Sequence, residues 1–236
     1  PNGKLPVTFY QGTENLPEFT DYSMAGRTYR YTDKNILYPF GYGLTYGTIS
    51  YSGAKTEQET SAVLDDVTVC TKVKNESAYP LHESVEVYVK YKNAQPGEPG
   101  FQLKGIACVE LQAGEEKEVS VTLHARDFAV ITEDGGCVVR PGEYEISIGG
   151  QQPGERSRAL TGRETEILTV RKEGNEEKLK NEEGGGIVCL PLLVTEWTVW
   201  CDDRWKSAEP ASFPDRRTVW CCIFVHRGEK CRLRGC

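Results

Sequence analysis

The stretch that decides the fold reads Val85-Glu-Val-Tyr-Val-Lys-Tyr91. Apolar side chains occupy every second position, and this alternation indicates a β-strand with one buried face. The same two-residue period occurs in three other segments, at residues 67–73, 119–123 and 144–148. Half-buried strands that recur without a helical pattern between them predict a mainly β domain.

Turn signals separate these strands at intervals of about 8–12 residues. They include the loop at 93–100, rich in Pro and Gly, the Leu-Gln-Ala-Gly-Glu turn at 111–115, and Arg140-Pro-Gly-Glu143. About seven short strands in this arrangement predict an immunoglobulin-type, fibronectin type III-like β-sandwich over residues 63–154. Residues 144–148 are predicted to be its last strand. A β-barrel with a similar number of strands is the alternative.

Residues 27–46, called the strap below, hold a high density of aromatic side chains. Pro39, Gly41 and Gly43 exclude a helix and interrupt any strand. Rings at this density require one buried face and hydrogen-bonded hydroxyl groups. We therefore expect an ordered strap that covers a larger surface, most of it outside this chain. The predicted domain-interface residues are Arg27, Tyr29, Arg30, Tyr31, Tyr38, Phe40, Tyr42 and Tyr46.

Changes in composition set the other boundaries. Residues 1–53 contain no βαβ unit or pair of hairpins able to form a core alone. We therefore expect them to complete a domain begun upstream. The first residues resemble a cut end. The polar segment 54–62 is predicted to be a linker. The charged, Gly-ending segment 155–186 is predicted to be a second linker, because a helix over residues 169–180 would lack an apolar stripe.

The formal net charge of the chain is −7, and no apolar run reaches the length of a membrane span. Nucleic acids and anionic membranes select basic surfaces, so neither is an expected partner. Cys70, Cys108 and Cys137 occur singly in strand-like segments. We interpret them as small apolar residues of a reduced, cytoplasmic protein.

Residues 187–236 form a tail of different composition, with all four Trp and six of the nine Cys. Cys222, His226, Cys231 and Cys236 have the chemistry of zinc ligands, but no Cys-x-x-Cys spacing supports a metal site. We favour a stretch without an evolved fold, with a zinc site and a disulfide cluster as alternatives. No metal site is assigned.

Two carboxylates near the strap invite a catalytic interpretation. Asp21 and Asp33 flank Arg27 and Arg30. We expect both carboxylates to pair with these arginines or to face water, as surface charges commonly do. The rings of the strap could stack on sugars, but packing against protein is the favoured interpretation.

Two histidines and a glycine-rich segment carry no catalytic signal. His82 and His124 have no cysteine or carboxylate at the spacing of a nucleophile and its base, so we expect them on the surface. The segment 149–154 precedes no predicted helix, which argues against a phosphate site.

Six motifs occur in order over residues 1–150: Gly3-Lys-Leu-Pro-Val-Thr-Phe-Tyr10, Leu16-Pro-Glu-Phe19, Gly26-Arg-Thr-Tyr-Arg-Tyr31, Tyr38-Pro-Phe-Gly-Tyr-Gly-Leu-Thr-Tyr46, Ala125-Arg-Asp-Phe128 and Pro141-Gly-Glu-Tyr-Glu-Ile146. The first four resemble the end of the second, α/β-sandwich domain of family 3 glycoside hydrolases. The last two are similar to the fibronectin type III-like C-terminal domain of that family. The resemblance implies that residues 1–53 are the terminal strand and loop of an incomplete α/β-sandwich domain.

The resemblance implies a retaining glycosidase that removes terminal β-linked glucose or xylose. The family's nucleophile is an Asp in an N-terminal barrel, and its acid/base is commonly a Glu in the second domain. Double displacement by two carboxylates needs no cofactor. Neither motif occurs in this sequence, so no catalytic residue is assigned and the chain is predicted to be inactive alone. The expected partners are the missing N-terminal catalytic domains, through which alone a β-linked oligosaccharide substrate would be bound.

Three functional hypotheses follow. The first, which we favour, is structural support of the catalytic domains. The second is a stand-alone carbohydrate-binding sandwich, and the third is one half of a split enzyme encoded as two chains. The second requires an exposed aromatic platform, for which the candidates are Tyr88, Tyr91, Phe101, Phe128 and Tyr144.

Overall fold

The computed structural model describes residues 2–14, 16–132 and 134–179. The predictions made for residues 187–236, including the zinc ligands, lie outside this part of the chain. The described helices are α1 (Thr28–Tyr31), a 3₁₀-helix (Ala125–Phe128) and α2 (Glu155–Thr161). The described strands are β1 (Phe9–Tyr10), β2 (Ile36–Tyr38), β3 (Ile49–Thr56), β4 (Thr60–Ala62), β5 (Val67–Asn75), β6 (Leu81–Tyr91), β7 (Gln102–Leu111), β8 (Glu116–Leu123), β9 (Val130–Ile131), β10 (Cys137–Val139), β11 (Gly142–Gly149), β12 (Glu166–Glu173) and β13 (Glu177–Lys178).

Two sheets form the β-sandwich. One has five strands in the order β4-β12-β11-β6-β7, and the other has three strands in the order β3-β5-β8. All pairs within them are antiparallel except β12 with β4, which is parallel. The predicted mainly β sandwich is confirmed, and the alternative of a β-barrel is wrong because the described strands form separate sheets.

The core is built from the alternation seen in the sequence. Val85, Val87 and Val89 of β6 point inward and are buried, as are Val67 and Val69 of β5. Burying a valine side chain of this kind stabilises the fold by about 1.5–3 kcal/mol. The period-2 pattern therefore identified the residues that join the two sheets.

The segment predicted to be a linker at 54–62 instead contributes strands to both sheets. Strand β3 runs through the predicted boundary at residue 53 and pairs with β5, with a register shift between Ser52 and Lys55. Gly53 has φ +68 at this irregularity, a conformation that glycine adopts without strain. β4 then pairs with β12 in the other sheet. The polar side chains of 54–62 misled the prediction because these are edge strands with one solvated face.

The segment predicted to be a second linker also contains a strand of the sandwich. β12 pairs with β11 from Ile148↔Glu166 to Gly142↔Lys172, so β11 is not the last strand and no helix spans residues 169–180. Leu168, Val170 and Lys172 alternate toward the interior. Lys172 is only 1% exposed, and its Nζ donates a hydrogen bond of 2.5 Å to the carbonyl of Asp65. A lysine at an inward position concealed the alternation.

The first 46 residues cross the outer face of the five-stranded sheet with little regular structure. β1 and β2 form a short antiparallel pair, in which Phe9 lies opposite Tyr38. Closer to the sheet, the Leu5 N–H donates to the Tyr42 carbonyl at 2.9 Å and the Gly41 N–H donates to the Leu5 carbonyl at 2.8 Å. The strap and the sandwich belong to one compact unit. The assignment of residues 1–53 to an incomplete α/β domain stays a prediction.

Candidate functional site

The inner side of the strap is an aromatic cluster on the five-stranded sheet. Tyr29 stacks on Phe40 with ring centroids 4.1 Å apart, and its ring meets Tyr88 of β6 edge-on at 6.2 Å. The three side chains are 7%, 4% and 0% exposed, respectively. The Tyr29 hydroxyl accepts a hydrogen bond of 3.2 Å from the Leu103 N–H. The structure therefore places two of the predicted interface residues against the sandwich of the same chain, whereas most of that surface was expected outside it.

Local backbone geometry brings these rings to the sheet. Thr28 has φ +54, and its N–H donates to the Tyr10 hydroxyl at 2.8 Å, which fixes the start of the single-turn helix α1. Gly41 has φ +74 and lies so close to Glu86 and Tyr88 that a Cβ at this position would clash with both side chains. Glycine at position 41 thus permits both the turn and the close approach of the strap.

A buried carboxylate lies directly beneath the strap. Glu86 of β6 is 2% exposed, and its Oε2 accepts a hydrogen bond of 2.7 Å from the Tyr88 hydroxyl. Burial raises the pKa of Glu86 to about 7; Lys4 and the Tyr88 hydrogen bond oppose this shift, and nearby Glu83 adds to it. The carboxyl therefore holds its proton more tightly than an exposed glutamate does.

Lys4 joins the first residues to the edge of the sandwich. Its Nζ donates a hydrogen bond of 2.6 Å to the Gly150 carbonyl and lies 3.5 Å from Glu83 Oε1. Glu83 also accepts a hydrogen bond of 2.8 Å from the Tyr51 hydroxyl. The sequence reasoning missed Lys4, Glu83 and Glu86. The two glutamates within the valine-rich strand β6 were a signal that polar partners cover this face of the sheet.

The outer side of the strap leaves apolar side chains in solvent. Tyr38 stacks on Tyr42 at 5.3 Å, and the Phe9 ring lies 6.4 Å from Tyr38. Tyr46 is 79% exposed. Ten of the fifteen exposed large apolar side chains in the described residues lie between residues 7 and 46: Val7, Phe9, Leu16, Phe19, Tyr22, Met24, Leu37, Tyr38, Leu44 and Tyr46. Such a concentration is typical of an interaction surface.

The two predicted arginines hold loops rather than carboxylates. The Arg27 guanidinium donates to the carbonyls of Glu18, Asp21 and Ser23 at 2.7–3.2 Å, so it organises the loop before the strap. The Asp21 carboxylate instead accepts hydrogen bonds from the N–H and hydroxyl of Ser23, which are the main reason that its pKa is lowered; Arg27 contributes less. Asp21 is exposed, so it faces water, which is one of the two outcomes expected for it.

Arg30, Tyr31 and Asp33 lie together at the edge of the strap. The Arg30 carbonyl accepts a hydrogen bond of 2.7 Å from the Gly100 N–H, while its Nε is buried without a hydrogen-bond partner. Tyr31 and Asp33 line the same cleft as Arg30. Asp33 is exposed, as expected for a carboxylate that faces water.

Three further predictions have a structural outcome. His82 and His124 are exposed as expected, and His124 Nδ1 lies 2.9 Å from Asp66 Oδ2. The glycine-rich segment 149–154 does precede a helix, α2, so the statement that none follows is wrong. α2 has only seven residues.

The aromatic platform required for a stand-alone carbohydrate-binding sandwich is absent from the residues proposed for it. Tyr88, Phe128 and Tyr144 are buried at 2% exposure or less. Tyr91 packs against the core, and Phe101 is partly covered by Lys90, whose Nζ lies 5.3 Å from the ring centroid. These rings pack against other side chains and form no exposed platform.

Two further features are absent from the described part of the chain. It contains no group of three or more His, Cys, Asp or Glu side chains placed to hold a metal ion. Within the same residues, no helix has the length and apolar character needed to cross a membrane.

Several known proteins are similar to this chain. Residues 83–152 match the family described as fibronectin type III-like domain. A xylan 1,4-β-xylosidase from Xylanibacter ruminicola is 36% identical over 151 residues, which cover 63% of this chain and 17% of that protein. A solved β-glucosidase from Erythrobacter marinus superposes with a TM-score of 0.59 at 27% identity, over 73% of this chain and 22% of that chain. A family 3 β-glucosidase from Bifidobacterium adolescentis gives a TM-score of 0.52 at 30% identity, over 65% and 21%.

The fold and the match over 83–152 define a fibronectin type III-like sandwich, here covered on one face by an aromatic strap. The similarities extend over about 63% of the chain and support a C-terminal region of a family 3 glycoside hydrolase, as the sequence motifs implied. The sandwich matches a non-catalytic portion of those enzymes. The chain spans about a fifth of the length of these relatives, which are longer enzymes containing this region as a C-terminal part.

Proposed function

We propose that this chain is the C-terminal, non-catalytic support of a retaining glycosidase that acts on terminal β-linked glucose or xylose. In this proposal the nucleophilic Asp and the acid/base Glu belong to N-terminal catalytic domains, and the strap fixes those domains relative to the sandwich. The relatives named β-xylosidase and β-glucosidase support the substrate class.

The observation that carries the proposal is the two-sided strap. Its inner rings, Tyr29 and Phe40, are buried on β6, whereas exposed apolar side chains such as Phe19, Tyr22 and Tyr46 cover its outer side and the loop before it. Burying each of these outer side chains in an interface would contribute about 1.5–3 kcal/mol. A surface of this kind suits a large protein partner whose facing surface is also apolar.

The contacts between strap and sandwich support a rigid connection. The hydrogen bond from Lys4 to the Gly150 carbonyl attaches the first residues to the sandwich, and the hydrogen bond from Gly41 to the Leu5 carbonyl joins the strap to those residues. Arg156 adds a third contact, since its Nε and Nη2 donate to the Leu37 carbonyl at 3.1 and 2.9 Å. A partner bound to the outer side would therefore be held at a defined position.

A chimera tests the proposed function. This chain would replace the matching C-terminal region of the Xylanibacter ruminicola enzyme, and hydrolysis of 4-nitrophenyl β-xyloside and β-glucoside would be measured for the chimera, for a chimera without residues 1–46, and for this chain alone. We expect an active chimera, loss of activity and thermal stability without residues 1–46, and no hydrolysis by the chain alone. Unchanged stability and activity without residues 1–46 would overturn the proposal.

A further inference from the structure

A cleft of about 590 Å³ lies beside the strap and borders the aromatic cluster at Tyr29. Its walls come from α1 and the residues after it, from the 98–101 loop, and from residues 152–157 at the start of α2; Lys90 and Ile167 of the five-stranded sheet also line it. Ligand-binding pockets in proteins commonly measure about 300–1,000 Å³. The cleft is thus large enough for a ligand of several rings.

Two buried polar atoms of the cleft residues have no partner. Gln152 is 8% exposed, and its Oε1 accepts no hydrogen bond. Arg30 Nε is buried and donates none. An unsatisfied buried polar group costs about 1–3 kcal/mol, so two such groups in residues of one cleft call for an explanation. A bound ligand supplies one, because the terminal amide of glutamine turns about a broad torsion and can present its oxygen to the cleft.

The unpartnered atoms define the ligand chemistry. Gln152 Oε1 requires a donor and Arg30 Nε requires an acceptor, and a hydroxyl group supplies both. A carboxylate or phosphate would satisfy Arg30 but leave the glutamine oxygen unpaired. An ammonium group would donate to Gln152 Oε1 but would leave Arg30 Nε without an acceptor. A polyhydroxylated ligand fits both groups.

The charges around the cleft favour a neutral ligand. Three cationic and three anionic side chains line it, so their formal charges cancel: Arg30, Lys90, Arg156, Asp33, Glu98 and Glu155. Three of these groups are already engaged. Glu98 Oε1 lies 2.7 Å from Arg140, Lys90 Nζ lies 3.6 Å from Glu145, and Arg156 donates to the Leu37 carbonyl. The half-buried Tyr31 adds an aromatic surface of the kind that packs on the apolar face of a sugar ring.

We propose that this cleft is an accessory binding site for a neutral β-linked oligosaccharide; the choice of sugar rests on the proposed function. The site differs from the exposed aromatic platform considered for the sandwich, because it depends on Tyr31, Arg30 and Gln152 at the edge of the strap. It would hold a substrate chain on the non-catalytic region, apart from the two carboxylates that cleave it.

Titration calorimetry on the full chain with xylotetraose and with cellotetraose tests the proposal. We expect saturable binding of at least one of them, weakened about tenfold in Tyr31→Ala and in Gln152→Leu, as expected when one ring contact or one hydrogen bond is lost. Asp33→Ala is a third cleft variant, in which weaker binding is also expected, and it leaves the fold intact because Asp33 is exposed. Tyr46→Ala removes an exposed ring outside the cleft and is the matched control, with unchanged affinity expected.

Thermal unfolding of each variant establishes that it is folded. Absence of saturable binding to both sugars would overturn the proposal, as would equal affinity in the three cleft variants and the control. If Tyr31 is buried in the chimera when no sugar is present, a protein segment covers the cleft. That result would also overturn the proposal. Because calorimetry does not require hydrolysis, failure of this site leaves the chimera experiment and the support function untouched.

Discussion

Tyr29 and Phe40 stack face to face, with ring centroids 4.1 Å apart and planes 13° from parallel, although they lie eleven positions apart in the chain. Each ring is buried, and Tyr29 also meets Tyr88 of the sheet. One stacked pair therefore closes the strap on itself and joins it to the sandwich. Aromatic pairs of this kind are worth about 0.5–1.5 kcal/mol beyond the burial of their surface.

Replacing Phe40 with alanine should detach the strap. We expect Phe40→Ala to lower the free energy of unfolding by about 3–5 kcal/mol, because it removes a buried ring and leaves a cavity beneath Tyr29. Urea denaturation measures this change. Tyr46→Ala is the control: its ring is exposed, and its effect should remain within about 0.5 kcal/mol. Equal effects of the two substitutions would contradict the inner and outer assignment.

Gly41 tests the close approach of strap and sheet. Gly41→Ala introduces a Cβ that clashes with Glu86 and Tyr88, in addition to the strain of a positive φ. Gly53→Ala is a matched control, since Gly53 has φ +68 but no atom within 4 Å of the added Cβ. Both variants should lose about 1–2 kcal/mol from backbone strain, and Gly41→Ala should lose about 1–3 kcal/mol more. Equal losses would show that the strap does not contact the sheet at this point.

The buried carboxyl of Glu86 should make stability depend on pH. Its pKa rises from 4.5 to about 7 on folding, so the folded state binds the proton more tightly than the unfolded state. Its stabilising contribution is fully present below pH 4.5, decreases between pH 4.5 and 7, and is lost above pH 7. The shift in pKa corresponds to a change of about 3 kcal/mol in the free energy of unfolding.

Glu86→Gln isolates this effect. It keeps an acceptor for the Tyr88 hydroxyl and removes the titration, so we expect it to stabilise the fold at pH 8 and to change it little at pH 4.5. Glu110→Gln on β7 removes an exposed carboxylate of the same sheet and serves as the control. Urea unfolding at the two pH values gives the comparison. A pH-independent effect of Glu86→Gln would refute the raised pKa of this buried carboxyl.

The sequence predicted the parts of the fold that repeat a simple pattern. Val85, Val87 and Val89 alternate without interruption, so β6 and its buried face were evident. Gly41 was expected to interrupt regular structure, and its positive φ agrees. β12 was missed because Lys172 occupies an inward position that alternation reserves for apolar residues; its Nζ reaches the Asp65 carbonyl only in the folded chain.

The candidate site was less predictable than the fold. The strap was identified from its rings, but which rings face inward depends on contacts with Tyr88 and Glu86, residues distant in sequence. Lys4 reaches Gly150 across nearly the whole described chain, and no local pattern encodes such a contact. Long-range polar contacts of this kind are set by tertiary structure alone.

The most direct test of the proposed interface compares one double variant, in the loop before the strap, in two settings. Phe19 and Tyr22 are 92% and 90% exposed in this chain. Phe19→Ser with Tyr22→Ser should therefore leave the Tm of the chain alone unchanged. In the chimera with the Xylanibacter ruminicola enzyme, the same pair should lower both the Tm and the hydrolysis of 4-nitrophenyl β-xyloside. An unchanged Tm and activity in the chimera would contradict the account, because the apolar surface of the loop before the strap would then bind no catalytic domain.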